Sequence, residues 1–212
     1  MDRAVISKEP KGRAQKPDYY ARREFDELLA DRRDLLDAPH YRGQVEAIVE
    51  ALVAALRAGK KILWCGNGGS AAEAQHMAAE LSGRFLRERP GLHSEALSVN
   101  SSTLTCVGND YGYDYVFSRQ VDAFASPGDV VIGMTTSGSS RNVVLALEAA
   151  KRRGAVTVAF TGNGGGKVAE IADHALVGPD GYAAIIQEVH QVMAHIVCDL
   201  VEQRLIFDGG IP

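Results

Sequence analysis

Cysteine is scarce in this chain. Its 212 residues hold three, Cys65, Cys106 and Cys198, widely spaced and with no C-x-x-C pair. An odd, dispersed set excludes a disulfide framework and a cysteine-only zinc site, and each thiol reads as a small buried hydrophobe. Long apolar runs are missing too. No uninterrupted stretch approaches the roughly 20 residues a membrane helix needs, so no membrane span is expected. The opening MDRAVISKEPKGRAQKPDYY has no apolar core of a secretory signal. Charge of one sign is also lacking: 23 Lys and Arg stand against 27 Asp and Glu, a net charge of −4. That balance offers no general attraction to nucleic acid or anionic lipid. Together these absences lead to the expectation of a cytoplasmic protein with no nucleic-acid or membrane partner.

What is present is an apolar fraction of 46% with 24% charged residues, ordinary for a globular chain and too apolar for a disordered one. The length suits one domain. Residues 1–17 carry five basic and two acidic side chains, two prolines and little apolar content, and read as a solvated N-terminal arm. The single domain is expected over 18–212. It opens with two helices, one over Asp18–Leu36 and one over Tyr41–Ala58, separated by DAPH. They cap the domain or pair with another subunit. Five short apolar runs follow: KKILWC (60–65), EALSV (95–99), DVVIGM (129–134), AVTVAF (155–160) and HALVG (174–178). Helical periodicity separates them, over Ser70–Leu81, up to about Phe124, over Arg141–Arg153, and over a long final stretch from about Ala183 to Ile206. Strands alternating with helices predict an α/β fold: a five-stranded, doubly wound parallel sheet in three layers, flavodoxin-like, with the N-terminal helical pair added. IFDGGIP at the end reads as a surface tail.

Three of the expected strands end in unusual loops: Cys65-Gly66-Asn67-Gly68-Gly69-Ser70, Thr135-Thr136-Ser137-Gly138-Ser139-Ser140 and Thr161-Gly162-Asn163-Gly164-Gly165-Gly166. Glycines let backbone amides approach a ligand, hydroxyls add donors, and a helix N-terminus favours an anion. For any single loop a tight turn with an N-cap is the plainer reading. Five hydroxyls in the six residues of TTSGSS point instead to phosphate. No G-x-x-x-x-G-K-[ST] occurs, which excludes a P-loop. Gly66 to Ala71 matches a relaxed dinucleotide fingerprint, but the next strand ends Ser98-Val99-Asn100 without the ribose-binding carboxylate, so no nucleotide cofactor is expected.

The helix after the first loop places His76 and Glu80 four apart, on one face. A helix-face hydrogen bond is the bland reading. A packed carboxyl suited to proton transfer is the functional one. In the final helix, Gln187, His190, Gln191 and His195 interrupt an apolar run, with Gln187, Gln191 and His195 forming an i, i+4, i+8 ladder. Two imidazoles, a carboxylate and an amide suit acid–base work or a divalent metal. Spacing alone does not choose between His190 and His195.

CGNGGS, AQHMAAELSGRF, VGNDYGYDYVFSRQ, TTSGSS and IIQEVHQVMAHI stand in this order over about residues 40 to 207. In this respect the sequence resembles the phosphoheptose isomerases, sugar isomerase (SIS) domain enzymes that convert sedoheptulose 7-phosphate to D-glycero-D-manno-heptose 7-phosphate. The resemblance implies a homotetramer with active sites between subunits, Glu80 as general base and His195 as general acid. It implies substrate contacts at Asn67, Gly68, Gly69, Ser70, Arg84, Asn109, Asp110, Thr135, Thr136, Ser137, Ser140 and Gln187. In some members it implies zinc at His76, Glu80, Gln187 and His195. A second resemblance is to a non-catalytic SIS-domain protein that binds the bacterial replication initiator. That relative has neither an acid at the position of Glu80 nor a histidine at that of His195. Isomerases acting on other sugar phosphates form a third class, usually carrying added domains. Ala79 departs from the isomerase pattern, which often has a second acid there.

Overall fold

The computed structural model describes residues 24–209, so the arm expected over 1–17, the start of the first expected helix at 18–23 and the last three residues lie outside the described residues. The elements in chain order are α1 (Phe25–Leu36), α2 (His40–Arg57), β1 (Ile62–Gly66), α3 (Gly69–Ser82), β2 (Ser94–Ala96), α4 (Ser101–Asp110) and a single 3₁₀ turn (Tyr113–Tyr115). There follow α5 (Ser118–Phe124), β3 (Val130–Thr135), α6 (Arg141–Arg152), β4 (Val156–Thr161), α7 (Gly166–Ile171), β5 (His174–Val177) and α8 (Ala183–Phe207). Each of the five apolar runs became a strand. All neighbouring strands pair in parallel, in the order β2-β1-β3-β4-β5.

Successive strand residues point to opposite faces, and the core divides accordingly. Ile62, Trp64, Val130, Ile132, Met134, Val158, Phe160 and Leu176 pack with α2, α3 and α8 on one side. Leu63, Cys65, Val131 and Ala159 pack with α4 to α7 on the other. Both faces are covered, which is why these strands read as unbroken apolar runs rather than alternating ones. Gly133 in β3 leaves room for α6: a Cβ there would come within 2.7 Å of Val143.

The two opening helices are unequal. α2 buries eight residues, including Ile48, Val49 and Leu52, whereas α1 buries none. The segment α8 has the length and hydropathy of a membrane helix, more than the sequence suggested, yet half of its most apolar window lies inside the fold. It serves as a core helix. Two further expectations need correction. Cys65 and Cys198 are buried, but Cys106 is exposed on α4, because that helix buries only Val107. Phe207, assigned to the tail, is the last residue of α8, one beyond the expected end at Ile206.

Two of the titratable groups buried in the core carry a side-chain atom without a hydrogen-bond partner among the described residues. His190 on α8 is fully buried, and its Nε2–H donates to the Thr161 carbonyl at 2.9 Å while Nδ1 has no partner. Burial pulls its pKa down to about 4, with the Thr161 bond acting in the opposite direction. Glu73 on α3 is buried with Oε2 unpartnered, and burial pushes its pKa up to about 8. Below an ordinary histidine pKa near 6.5 the unfolded chain takes up a proton that folded His190 refuses, so this group lowers stability as pH falls toward 4. Glu73 works oppositely: from 4.5 up to about 8 the folded carboxyl keeps a proton that the unfolded chain releases, so stability declines with rising pH. Glu73→Gln should therefore resist urea better than the parent at pH 8, and the gain should vanish at pH 4.5. An equal gain at both values would contradict the buried, protonated carboxyl.

Candidate functional site

The chain leaves β1 toward one face of the sheet, through α3, and leaves β3 toward the other, through α6. Because β1 and β3 are neighbours, a crevice opens where their following loops part, the usual ligand position in an open α/β sheet. The first loop, Asn67 to Ser70, and the second, Thr135 to Ser140, form its two lips. They are bridged directly. Asn67 and Asn142, the latter in the first turn of α6, exchange two amide hydrogen bonds of 2.9 and 2.8 Å. Tyr113 adds a hydroxyl bond to Asn67 at 3.3 Å.

The hydroxyl-rich loop is internally ordered. Thr135 Oγ1 lies 2.8 Å from Ser140 Oγ and 3.3 Å from Ser137 Oγ, and the Ser139 amide donates to Ser137 Oγ at 3.3 Å. The third loop braces it: Asn163 Nδ2 donates to the Thr136 carbonyl at 3.0 Å, and the Val168 amide to the Gly138 carbonyl at 3.0 Å. Gly138 has a φ of +69°, and any Cβ would strike the Gly165 backbone, so no other residue fits this turn without strain. The N-terminal ends of α3 and α6 follow these two loops and add the partial positive charge of a helix start.

The acid–base side chains gather on the α3–α8 face. His76 Nε2 lies 2.9 Å from Glu80 Oε1, Gln191 Nε2 is 2.8 Å from His76 Nδ1 and 3.4 Å from His195 Nε2, and the two imidazoles meet edge to face at 5.0 Å between centroids. These neighbours assign His76 a proton on Nε2, donated to Glu80, with Nδ1 accepting from Gln191. One ligand-type atom from each of His76, Glu80 and His195 fits within 4.8 Å of the others. Phe85 stacks on His195 at 5.4 Å and 22°. Burial and then the neighbouring His76 lower the His195 pKa, with Glu80 opposing. The structure places the two histidines apart: His190 faces the sheet, and His195 lies beside His76 and Glu80. Five residues turn a helix by about 140°, enough to put one imidazole in the core and the other at the site.

The remaining sequence-selected residues fall in three places. Gln187 lies against the first loop, donating to Ser70 Oγ at 3.4 Å, and a Cβ on Gly69 would come within 2.6 Å of its amide. The helix α8 therefore approaches the loop closely only because residue 69 is glycine. The amide bonded to the imidazoles is Gln191 rather than Gln187. Arg84 is exposed just beyond α3, with Nε 3.8 Å from Glu88. Asn109 and Asp110 end α4, exposed and bonded to each other at 2.8 Å, and no hydrogen bond among the described residues carries them to the imidazole cluster. Asn142, Phe85 and Tyr113 escaped sequence reasoning, since none has a spacing that marks it. Gln191 stood in the ladder, where its amide periodicity was the available signal. A cavity of about 450 Å³, lined by Lys61, Leu63, Glu95, Leu97, Gln120 and Phe124, lies beside β2 and shares no residue with this site.

Residues 33–162 match the SIS domain family. A phosphoheptose isomerase of Geobacter metallireducens is 54% identical over 179 residues, 84% of this chain and 95% of the relative. That of Akkermansia muciniphila is 50% identical over 163 residues, 77% and 86% of the two chains. The solved structure of a phosphoheptose isomerase from Francisella tularensis superposes with a TM-score of 0.77 at 35% identity, covering 84% of this chain and 94% of that one. On these matches the chain belongs to the phosphoheptose isomerase family of SIS-domain proteins and is a sugar-phosphate isomerase.

Proposed function

We propose that this chain interconverts sedoheptulose 7-phosphate and D-glycero-D-manno-heptose 7-phosphate through an enediol. The reading rests on one observation above all: a carboxylate and two imidazoles from α3 and α8 converge on the same face as the glycine turn that α8 abuts. The relatives' name, phosphoheptose isomerase, supports a phosphorylated heptose as the substrate.

In this reading the hydroxyls of Thr135, Thr136, Ser137 and Ser140 hold the phosphate. Asn67, Gly68, Gly69, Ser70 and Gln187 bind the sugar end, with Arg84, Asn109 and Asp110 completing the shell. Glu80 takes the proton from C1 of the ketose, leaving a C1–C2 enediol, exchanges it with solvent, and delivers a proton to C2. His195 moves the hydroxyl proton from O1 to O2. No redox cofactor enters, since the electrons stay within the sugar. Anchoring the distant phosphate fixes the reacting carbons and turns binding energy toward the chemical step. A carboxylate oxygen and two imidazole nitrogens are also a donor set that zinc accepts, and His76, Glu80 and His195 fit one, with Gln187 or Gln191 as the nearest amides. Zinc bound there supplies Lewis-acid polarisation of sugar oxygens.

Exposed apolar residues Val192 and Ile196 on α8 support assembly with further copies, in keeping with a homotetramer in the cytoplasm. Light scattering should return a mass about four times that of the chain. A monomer at working concentration would defeat that part of the proposal.

In deuterated water the purified protein should form the aldose with label at C2, and Glu80→Gln or His195→Ala should each reduce kcat by about a hundredfold or more. Full activity of either variant would remove its assigned role. Conversion only of a different sugar phosphate would reassign the substrate. Metal analysis after zinc loading should find bound zinc in the parent and a marked loss in His76→Ala. Equal retention in both would place the metal elsewhere.

A further inference from the structure

The two helices that carry the proposed acid–base groups are joined by a buried ion pair. Arg89 and Glu202 have no solvent-exposed side-chain surface, and Arg89 Nε lies 2.9 Å from Glu202 Oε1. Each partner is saturated on its other side by backbone. Glu202 Oε1 also accepts from the Phe85 amide at 2.8 Å, and Oε2 accepts from the amides of Leu86 and Arg87 at 2.9 and 3.0 Å. Arg89 donates through Nη2 to the Glu80 carbonyl at 2.8 Å, and through Nη1 to the carbonyls of Leu81, Pro90 and Gly83 at 2.8, 3.0 and 3.2 Å. Those of Glu80 and Leu81 belong to the last turn of α3, where carbonyls have no partner within the helix and a cation is favoured.

The consequence is geometric. One carboxylate on α8 fixes three successive amides of the connection after α3, and one guanidinium fixes the end of α3 itself, including the main chain of Glu80. Glu202 stands seven residues, two turns, beyond His195 on the same side of α8. Phe85, whose amide Glu202 holds, is the residue stacked on the His195 ring. A second, more exposed tie runs parallel: Arg87 Nη1 bonds Asp199, one turn beyond His195. Burial acts against the Glu202 charge, but the Leu86, Phe85 and Arg87 amides together with Arg89 outweigh it and hold its pKa below the ordinary value.

We propose that Arg89 and Glu202 form a positioning pair that sets the register of Glu80 against His195 and holds Phe85 on the His195 ring. A buried ion pair is a poor choice if stability alone is the object, since well-packed apolar residues of similar volume often do as well or better. What apolar packing does not provide is seven directed bonds to backbone across one loop, and small displacements of reacting groups cost rate steeply. Neither residue touches substrate in this scheme. Both act through the placement of Glu80, Phe85 and His195. The inference rests on the isomerase reading for its kinetic consequence but not for its structural one, and the two are separated by experiment.

Arg89→Lys keeps the charge and one bond to Glu202 but cannot serve four carbonyls. Glu202→Gln keeps the shape but presents an amide hydrogen to backbone donors. In either variant kcat should fall about tenfold to a hundredfold with KM within about twofold of the parent, because the phosphate loops are untouched. The second readout is the imidazole signal of His195 in chelator-treated protein, assigned through His195→Asn and shifted by the ring current of Phe85. Phe85→Leu, a change on a half-buried loop residue, should remove that ring-current shift and lower kcat, and Arg89→Lys should move the signal in the same direction. A lowered Tm with unchanged kcat and an unmoved His195 signal would show the pair to be structural only and overturn the proposal. So would a Phe85→Leu protein with parental kcat and signal, which decides the matter even where the ion-pair variants fail to fold. If the parent shows no isomerase turnover while the signal still follows Arg89, the substrate reading fails and the positioning role stands.

Discussion

The approach of α8 to α3 on one face of the sheet is the constraint on which the site depends. Neither helix holds an acid–base pair from opposite directions by itself: α3 brings His76 and Glu80, and α8 brings Gln191 and His195. Their separation is set at two ends. Near the start of α3, the missing side chain of Gly69 lets Gln187 lie directly on the loop. Near its end, Arg89 and Glu202 tie the final carbonyls of α3 to α8. Between these points Met77 and Cys198 meet in the core, with the sulfurs 3.9 Å apart.

The strand order converts this helix pairing into a binding crevice. With β1 and β3 adjacent and their helices on opposite faces, the first loop serves the α3–α8 side and the hydroxyl loop the α6 side. The Asn67–Asn142 exchange spans the gap between them. Each amide bonds the other, so the first loop and the start of α6 are held in a fixed relation without charge. Under the proposed function, a phosphate at Thr135–Ser140 and a sugar carbonyl near Glu80 would share one rigid arrangement rather than two independent ones.

Much of this was readable from the residues, for identifiable reasons. Buried strands such as DVVIGM and AVTVAF are mostly apolar, because both faces of the sheet are covered, and each runs one threonine further before a glycine-containing turn ends it. The i,i+4 spacing of His76 and Glu80 states their common face directly. Other features are invisible to periodicity. The sequence does not distinguish His190 from His195, since both interrupt the same apolar run and only the sheet tells which one is enclosed. Cys106 read as buried because thiols usually are, whereas α4 is a surface helix. Glu202 and Arg89 belong to no motif or spacing that marks them in the sequence. Their burial is a long-range fact, 113 residues apart in sequence, and no local pattern encodes it. Phe85 was part of a familiar motif, but its contact with His195 exists only once the loop is folded back.

The helix α8 shows how one element can serve two masters. Its sheet-facing positions, with His190 among them, are packed without slack, while Gln187, Gln191 and His195 run along an adjoining, partly open side. Change is therefore permitted unequally around its circumference. Side chains at 187 and 191 can be exchanged without opening a void in the interior, whereas the proposed function requires the imidazole at 195, so new sugar preferences could arise beside it by single replacements while the scaffold keeps its solidity. Lineages diverging in substrate would be expected to differ first along that narrow strip.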